Sequence, residues 1–341
     1  MDKMFTRTLL GAAIALAAAS GSANAAIDLL DGNVQLYGQA AGGLIIANPE
    51  GEDTNVTADI ESRIGFRGTV DFDNLAPNFI WQIESGNANA TPTDKPNGQG
   101  VFGFRDTYVG LDFEGVGSIK YGRQLTAAYN YVDWPHSNPG IGGVFDRSWA
   151  PDVGGSFQDR ADHVIRFDSA NFGGFNFQGT LSGMEKTTDD MAVSVAASYT
   201  ADAFTVHGGY YTRDLNTATI NSNSYFILGG AAYLGDITLT AAAKYMEADH
   251  VADADADQWA YSATAQYVAD GTWLYKLGLA YAAELEQGGS VSDTEDLAVT
   301  GRVGYLLPSA ILYTDVRYAD FNGSSEAGDG TNIHLGVEYY F

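Results

Sequence analysis

The sequence predicts an all-β fold, a transmembrane antiparallel β-barrel of about sixteen strands. Three observations carry that expectation. From residue 33 onward, apolar and polar residues alternate with period two. The connections between the alternating runs are short and long by turns. Beyond the extreme N-terminus there is no run of about 20 apolar residues, the length a bilayer-spanning helix needs. A closed barrel is the other structure that satisfies every backbone polar group inside a bilayer.

The N-terminus sets the compartment. Met1 to Ala25 opens with the cations Lys3 and Arg7, continues with the apolar stretch Leu9 to Ala19, and ends on Ala23-Asn24-Ala25. A positive segment, a short apolar segment and an A-x-A site make a cleaved export signal. The apolar stretch is too short to span a membrane. Residues 1–25 are therefore expected to be removed, leaving 26–341 as one barrel domain exported through the periplasm to the outer membrane. The chain has no cysteine, so it must hold together without disulfides in a compartment that would allow them.

The formal net charge is -26, and removing Asp2, Lys3 and Arg7, together +1, leaves -27. A nucleic-acid partner needs a basic footprint, and this charge argues against one. It also suggests a modest preference for cations in any channel the chain forms.

Each strand follows from its alternation. Ile64, Phe66, Val70 and Phe72 oppose Glu61, Arg63, Arg67, Thr69 and Asp71. Phe79, Trp81 and Ile83 oppose Gln82 and Glu84, and Phe175 and Phe177 oppose Asn176, Gln178 and Thr180. Val193, Val195 and Tyr199 oppose Ser194 and Ser198, while Ile237, Leu239 and Tyr245 oppose Thr238, Thr240 and Lys244. Trp259, Tyr261 and Tyr267 oppose Ser262, Thr264 and Gln266. Trp273 to Tyr281, Leu297 to Tyr305 and Ile333 to Phe341 repeat the pattern. Helical spacing would scatter these residues around an axis. Aromatics at the ends of the runs fit the girdles where a barrel meets the membrane interfaces.

Short connections fall at 74–77, 114–116, 201–202, 235–236, 269–271 and 307–309. Long ones fall at 47–56, 87–103, 124–159, 213–223, 248–256, 284–294 and 322–330. Short turns at one end and long loops at the other are the outer-membrane pattern, and sixteen strands enclose an aqueous lumen. The run Ala252 to Asp257, ADADAD, reads as a solvated external loop. Calcium ligation within 249–257 is the alternative, although no glycine-anchored calcium loop is present.

Several segments resemble Gram-negative general diffusion porins. They are Tyr37-Gly38, Glu61-Ser-Arg-Ile-Gly-Phe-Arg-Gly68, Phe104-Arg-Asp-Thr-Tyr-Val-Gly-Leu111, Gly117-Ser-Ile-Lys-Tyr-Gly-Arg123 and the terminal Tyr339-Tyr340-Phe341. The resemblance spans the mature chain and is densest over 33–175. It implies a homotrimer whose third long loop, here Gln124 to Asp159, folds into the lumen and narrows it. It also implies a wall of arginines facing carboxylates on that loop. The matching arginines are Arg63, Arg105 and Arg160; Arg63 also has lumen parity by the alternation alone. Their bland alternative role is to neutralise carboxylates such as Glu61 and Asp162. Gln39 stands where the family often has a basic residue. The family's loop motif Pro-Glu-Phe-Gly-Gly appears as Pro139-Gly140-Ile141-Gly142-Gly143, without its acid. Asp133, Asp146 and Asp152 are the nearest substitutes. Tyr129, Tyr131, Trp134, Phe145, Trp149 and Phe157 are candidates to pack the loop on the wall. Glu61, Arg67 and Gln39 complete the expected lumen-facing set. The resemblance further implies that Phe341 is read by the barrel assembly machinery, besides covering surface that faces outer-membrane lipid.

The expected function is passive diffusion of small hydrophilic solutes and ions, with no cofactor, no metal and no catalysis. A sugar-specific channel is the alternative; an adhesin barrel and an outer-membrane enzyme are remoter ones. Ser137 lies beside His136, but neighbours in an extended loop point apart and make a poor nucleophile and base. Gly115-Val-Gly117 reads as a tight turn, with no helix after it to cradle phosphate.

Overall fold

A computed structural model describes residues 26–30, 33–86, 102–132, 135–147, 153, 157–183, 191–322 and 329–341. The expected signal segment 1–25 lies outside them. Among the described residues, no helix is long and apolar enough to cross a membrane.

The chain forms one antiparallel sheet closed on itself. A short strand β1 (Ile27–Leu29) hairpins onto β2 (Val34–Pro49). Then come β3 (Asn55–Ile60), β4 (Arg63–Val70), β5 (Asn78–Glu84), β6 (Thr107–Phe113) and β7 (Gly117–Leu125). The long loop carries a 3-10 turn, Tyr129–Tyr131, and one helical turn, α1 (Gly143–Asp146). After it follow β8 (Arg160–Ser169), β9 (Phe175–Ser182), β10 (Ala192–Thr200), β11 (Phe204–Asp214), β12 (Ile220–Leu234), β13 (Ile237–His250), β14 (Ala256–Ala269) and β15 (Trp273–Ala282). A small hairpin, β16 (Leu285–Gln287) and β17 (Ser290–Ser292), precedes β18 (Asp296–Leu307), β19 (Ala310–Phe321) and β20 (Gly330–Tyr340).

Sixteen of these are wall positions. β3 and β4 are halves of one strand, since Gly42↔Ile60 and Gln39↔Arg63 keep a single register against β2. The ladder is interrupted at Glu61 and Ser62, where the Ser62 hydroxyl accepts from the Ala41 amide at 3.1 Å and donates to the Ala41 carbonyl at 3.2 Å, which also takes the Glu61 amide at 3.1 Å. β1, β16 and β17 stand outside the wall. An even count lets the first and last wall strands close antiparallel, from Gln39↔Tyr340 to Pro49↔Gly330. The seam ends on Phe341, whose amide and carbonyl bond Gly38 at 3.0 and 2.6 Å. The Phe341 ring occupies the space where Gly38 would carry a side chain.

Alternation becomes two faces. Val193, Val195, Leu228, Leu239, Leu277, Val299, Leu335 and Val337 are exposed on the outside. One aromatic girdle includes Phe72 beside Phe79, Tyr199 beside Phe204 and Trp273 beside Tyr305, near the short turns. The other includes Tyr245 against Trp259, toward the long connections. Aromatics at both ends of the strands are the mark of an apolar band between two interfaces.

Some connections differ from expectation. The expected loops 213–223 and 248–256 shrink to 215–219 and 251–255, because β11 to β14 continue beyond the apolar band. Ladder bonds need no apolar side chain, so polar segments such as Ser222 to Ser224 stay paired. The 284–294 loop folds into the β16–β17 hairpin.

Candidate functional site

Two halves of the inner face differ. On β2 and β4 to β8 it carries long charged and tyrosine side chains. Arg105 sits just before β6, and its Nε donates to Glu84 Oε1 at 2.5 Å. Arg160 opens β8 and donates from Nε to Asp106 Oδ1 at 2.7 Å. Arg63 opens β4, opposite Gln39. The positive charges of Arg160 and Arg63 both act on Arg105, so the three expected arginines lie together. Glu84 also accepts from the Tyr37 hydroxyl at 2.9 Å. Arg67 donates to Gln35 Oε1 at 2.9 Å and lies 5.0 Å over the Tyr37 ring. Gln39 donates to Glu338 Oε2 at 3.1 Å. Glu61 is exposed at the interruption between β3 and β4, and Asp162 pairs with Arg123 instead, at 2.8 Å.

Three charged residues belong to this wall that the family motif did not supply. Lys120 and Arg166 share Asp168, at 2.9 and 2.8 Å. Their parity was readable: each stands between two outward apolar residues, Ile119 and Tyr121, or Ile165 and Phe167. A further group sits on β18 to β20. Asp315, fully buried, takes Arg302 at 2.6 Å and Arg317 at 2.8 Å, and Arg317 also donates to His334 Nδ1 at 2.6 Å.

On β12 to β19 one row of the inner face is made of small residues. Gly229, Ala242, Ser262, Ala280, Ala298 and Ala319 are register partners in one row across six strands. The long connection packs against this half. Its Ala127 and Ala128 amides donate to Thr180 and Ser194 at 3.2 and 2.8 Å. Asn138 reaches Ser262 at 3.2 Å, and Ser262 donates to the His136 carbonyl at 2.6 Å. Lys276 donates to the Ser137 carbonyl at 3.2 Å. Gln158, near the loop's end, takes the Ser182 hydroxyl at 2.8 Å. The chain's buried apolar cluster lies here, with Val132, Ile141, Val144 and Phe145 of the connection against Tyr211, Tyr225, Ile227 and Met246 of the wall. Of the aromatics expected to pack it, Tyr129, Tyr131, Phe145 and Phe157 do so; Trp134 and Trp149 lie outside the described residues.

Of the three expected loop acids, Asp146 alone is among the described residues. Asp146 does not meet the arginine group. Its side chain lies 3.7 Å from Lys244 Nζ on β13 and accepts from the Tyr129 hydroxyl at 3.4 Å. The αL turn at Arg147 (φ 60) ends α1 and turns successive side chains onto the same wall. Asp133 and Asp152 lie outside the described residues. The described acids that gather most closely are Glu284, Asp293 and Glu295, on and beside the β16–β17 hairpin, with ligand oxygens within 4.8 Å.

His136 joins loop to wall. Its Nε2 lies 2.8 Å from Nε2 of His207 on β11, which stacks on Tyr131 at 4.6 Å. One imidazole must donate and the other accept, so the contact needs at least one neutral ring and breaks when both are protonated. Burial first, then the positive charges of His207 and Lys276, push His136 from 6.5 down to about 3. A loop lifted into water would regain an ordinary value near 6.5. The lifted state thus binds more protons between those values, and docking is fully favoured above about pH 6.5 and weakens as pH falls toward 3. Single-channel records should show closures becoming more frequent across that window, and His136→Asn should flatten the dependence. A wild-type record unchanged from pH 7 to pH 3 would contradict it.

The barrel with an apolar outside, a charged inside and one long connection laid along half of the inner face is the arrangement that the family comparison addresses. Residues 12–341 match the model of the Gram-negative porin family. The chain belongs to that family. It is 32% identical to a chitoporin of Vibrio furnissii across the full length of both proteins. It is 27% identical to outer membrane porin F of Escherichia coli over 62% of this chain and 60% of that one. Among solved structures, the anion-selective porin of Comamonas acidovorans aligns with a TM-score of 0.71 at 18% identity, over 90% of this chain and 99% of the other. OmpF of Salmonella typhi, in complex with daunomycin, aligns with a TM-score of 0.70 at 20% identity, over 93% and 100%. These two likenesses establish the sixteen-stranded fold. Membership places the porin in the outer membrane, among channels rather than enzymes.

Proposed function

We propose that this porin forms a water-filled channel for passive diffusion of small hydrophilic solutes and ions, narrowed where the connection 126–159 faces Arg63, Arg105 and Arg160. The supporting observation is the inner face itself: a row of small residues on β12 to β19 that takes the connection, and a separate wall on β4 to β8 that carries the three arginines. A passing solute would keep most of its hydration and meet fixed charges of both signs at short range. Such charges order water, so an apolar solute gains nothing in exchange for displacing it. Mature residues 26–341 would assemble as a homotrimer, with Phe341 at the seam available as the assembly signal.

A modest cation preference belongs to this reading, carried by loop carboxylates at the mouth. The basic wall opposes it. Arg105→Gln with Arg160→Gln should raise the cation-to-anion permeability ratio about two- to threefold, since fixed charge at a narrow point weighs most on ion choice. Reversal potentials in a salt gradient measure this; a ratio unchanged or lowered would remove these arginines from the ion path.

Chitoporin identity over the whole chain favours a second reading, a channel for sugars related to chitin. Liposome swelling across a solute series separates the two. Rates that follow size alone support general diffusion. Saturable preference for an amino-sugar oligomer supports the second. No swelling with any solute would sink both.

A further inference from the structure

Three inner-wall glycines lie directly beneath the long connection. On β11, a Cβ at Gly209 would stand 2.9 Å from the Cβ and 3.0 Å from the Cα of Ala128. On β12, a Cβ at Gly229 would stand 2.6 Å from His136 Nε2, and 2.8 and 3.0 Å from the Ala242 Cβ and Ala241 carbonyl of the neighbouring strand. On β15, a Cβ at Gly278 would overlap Asn138 Oδ1 and stand 2.8 Å from its Cγ, and it would stand 2.7 Å from the wall hydroxyl of Thr300, the rotatable end of a side chain. None of the three is among the residues with positive φ. Their backbone is ordinary strand, open to any residue, so conformation does not call for glycine there. Glycine also weakens a strand, having no side chain to pack and more entropy to lose. What the three share is the space they leave and the loop atom that fills it.

The occupying atoms are held from several sides. The Asn138 amide is fixed by Ser262, by the Leu279 carbonyl at 3.4 Å and by the Thr300 hydroxyl at 3.4 Å. His136 is held by His207 through its ring and by Ser262 through its carbonyl. Ala128 offers only backbone and a methyl group, which cannot swing away. A side chain added beneath any of these points would displace the connection itself, toward the opposite, basic wall.

We propose that Gly209, Gly229 and Gly278 are positioning residues that set the free width of the channel, by letting the connection lie flush with the wall. This rests on the reading of 126–159 as the element that narrows the lumen. The width would then be encoded by side chains missing from the wall, as much as by the loop's own residues.

The test uses the full-length protein refolded into planar bilayers, with single-channel conductance and the polyethylene glycol size cut-off as readouts. Gly278→Ala should lower conductance about twofold and move the cut-off to smaller polymers, because both follow the open cross-section. Adding Asn138→Gly in the same chain removes the loop atoms and frees the Thr300 hydroxyl, which then loses its Asn138 partner, to turn aside, and should restore both to the values of Asn138→Gly alone. Gly179→Ala, on the outer face of β9 with nothing within 4 Å of its Cβ position, should leave both unchanged. A Gly278→Ala channel of wild-type conductance and cut-off would overturn the proposal, as would a loss that Asn138→Gly does not restore. Should Gly278→Ala fail to fold, the double variant must still fold and conduct as Asn138→Gly alone does, and its failure where Asn138→Gly succeeds would count equally against the idea. A wild-type protein that conducts nothing would instead remove the channel reading on which the proposal stands.

Discussion

Lys244→Ala is expected to release the middle of the long connection and make the channel noisy. Lys244 lies on β13 with its side chain 1% exposed. Its Nζ sits 4.5 Å over the Tyr225 ring and 4.9 Å over the Phe157 ring, and donates to the Asp146 carbonyl at 2.5 Å. Phe157 and Asp146 lie toward the far end of the connection, ten residues and more apart, and one ammonium ties both to the wall. The alanine variant removes the cation from between two rings and leaves the Asp146 carboxylate facing a low-dielectric cavity. Removing one partner of a buried charged pair costs about 3–5 kcal/mol. That is enough to make the undocked loop a populated state of an otherwise intact barrel. Single-channel records should show rapid flicker, and limited proteolysis should cut within 126–159. Lys244→Met, which keeps the bulk and loses the charge, should behave similarly. A quiet, protease-resistant Lys244→Ala channel would show that the apolar cluster alone holds the loop.

Arg147→Ala should have the other large effect. Arg147 follows Asp146 and takes the αL conformation that non-glycine residues usually avoid. Its Nη1 bonds Asp296 on β18, and its Nε donates to Gln258 Oε1 on β14 at 3.0 Å. Asp296 is fully buried and Gln258 nearly so; Gln258 passes its own amide to the Ala283 carbonyl at 2.6 Å. The strained backbone persists because two strands, β14 and β18, fix the side chain. Truncation strips the guanidinium from Asp296, again at about 3–5 kcal/mol, while replacing both charges with well-packed apolar groups is often close to neutral. The expected results are therefore a lowered melting temperature for Arg147→Ala and substantial recovery in Arg147→Met with Asp296→Leu. Loss of the β-sheet circular dichroism on heating in detergent measures both. A double variant as unstable as the single one would mean that the pair is needed for more than charge compensation.

These two anchors also show how far the chain could be read unaided. The barrel was legible because period two is a property of neighbours along the chain: Trp273 to Tyr281 declare an outside and an inside with no knowledge of their partners. Arg63 and Arg67 were placed inside in this way, and Lys120 and Arg166 could have been. Arg105 and Arg160 sit at strand ends, where parity gives little help, and family resemblance supplied them. The extended β11 to β14 and the β16–β17 hairpin were missed because polar segments pair without any hydrophobic signal.

The partner of Asp146 was not legible at all. Lys244 is 98 residues away, and nothing local to either says that they meet. The same holds for the row from Gly229 to Ala319, whose members are ordinary small residues until the hydrogen-bond register aligns them. Sequence by itself determined that the strands alternate, that connections differ at the two ends, and that the terminal strand ends on an aromatic. Only the closed sheet decided which half of the wall is shallow, where the loop comes down on it, and which acid meets which base. The physical reason is one of range. Side-chain direction is set within two residues, whereas register and closure are set by ladders joining residues far apart in the chain.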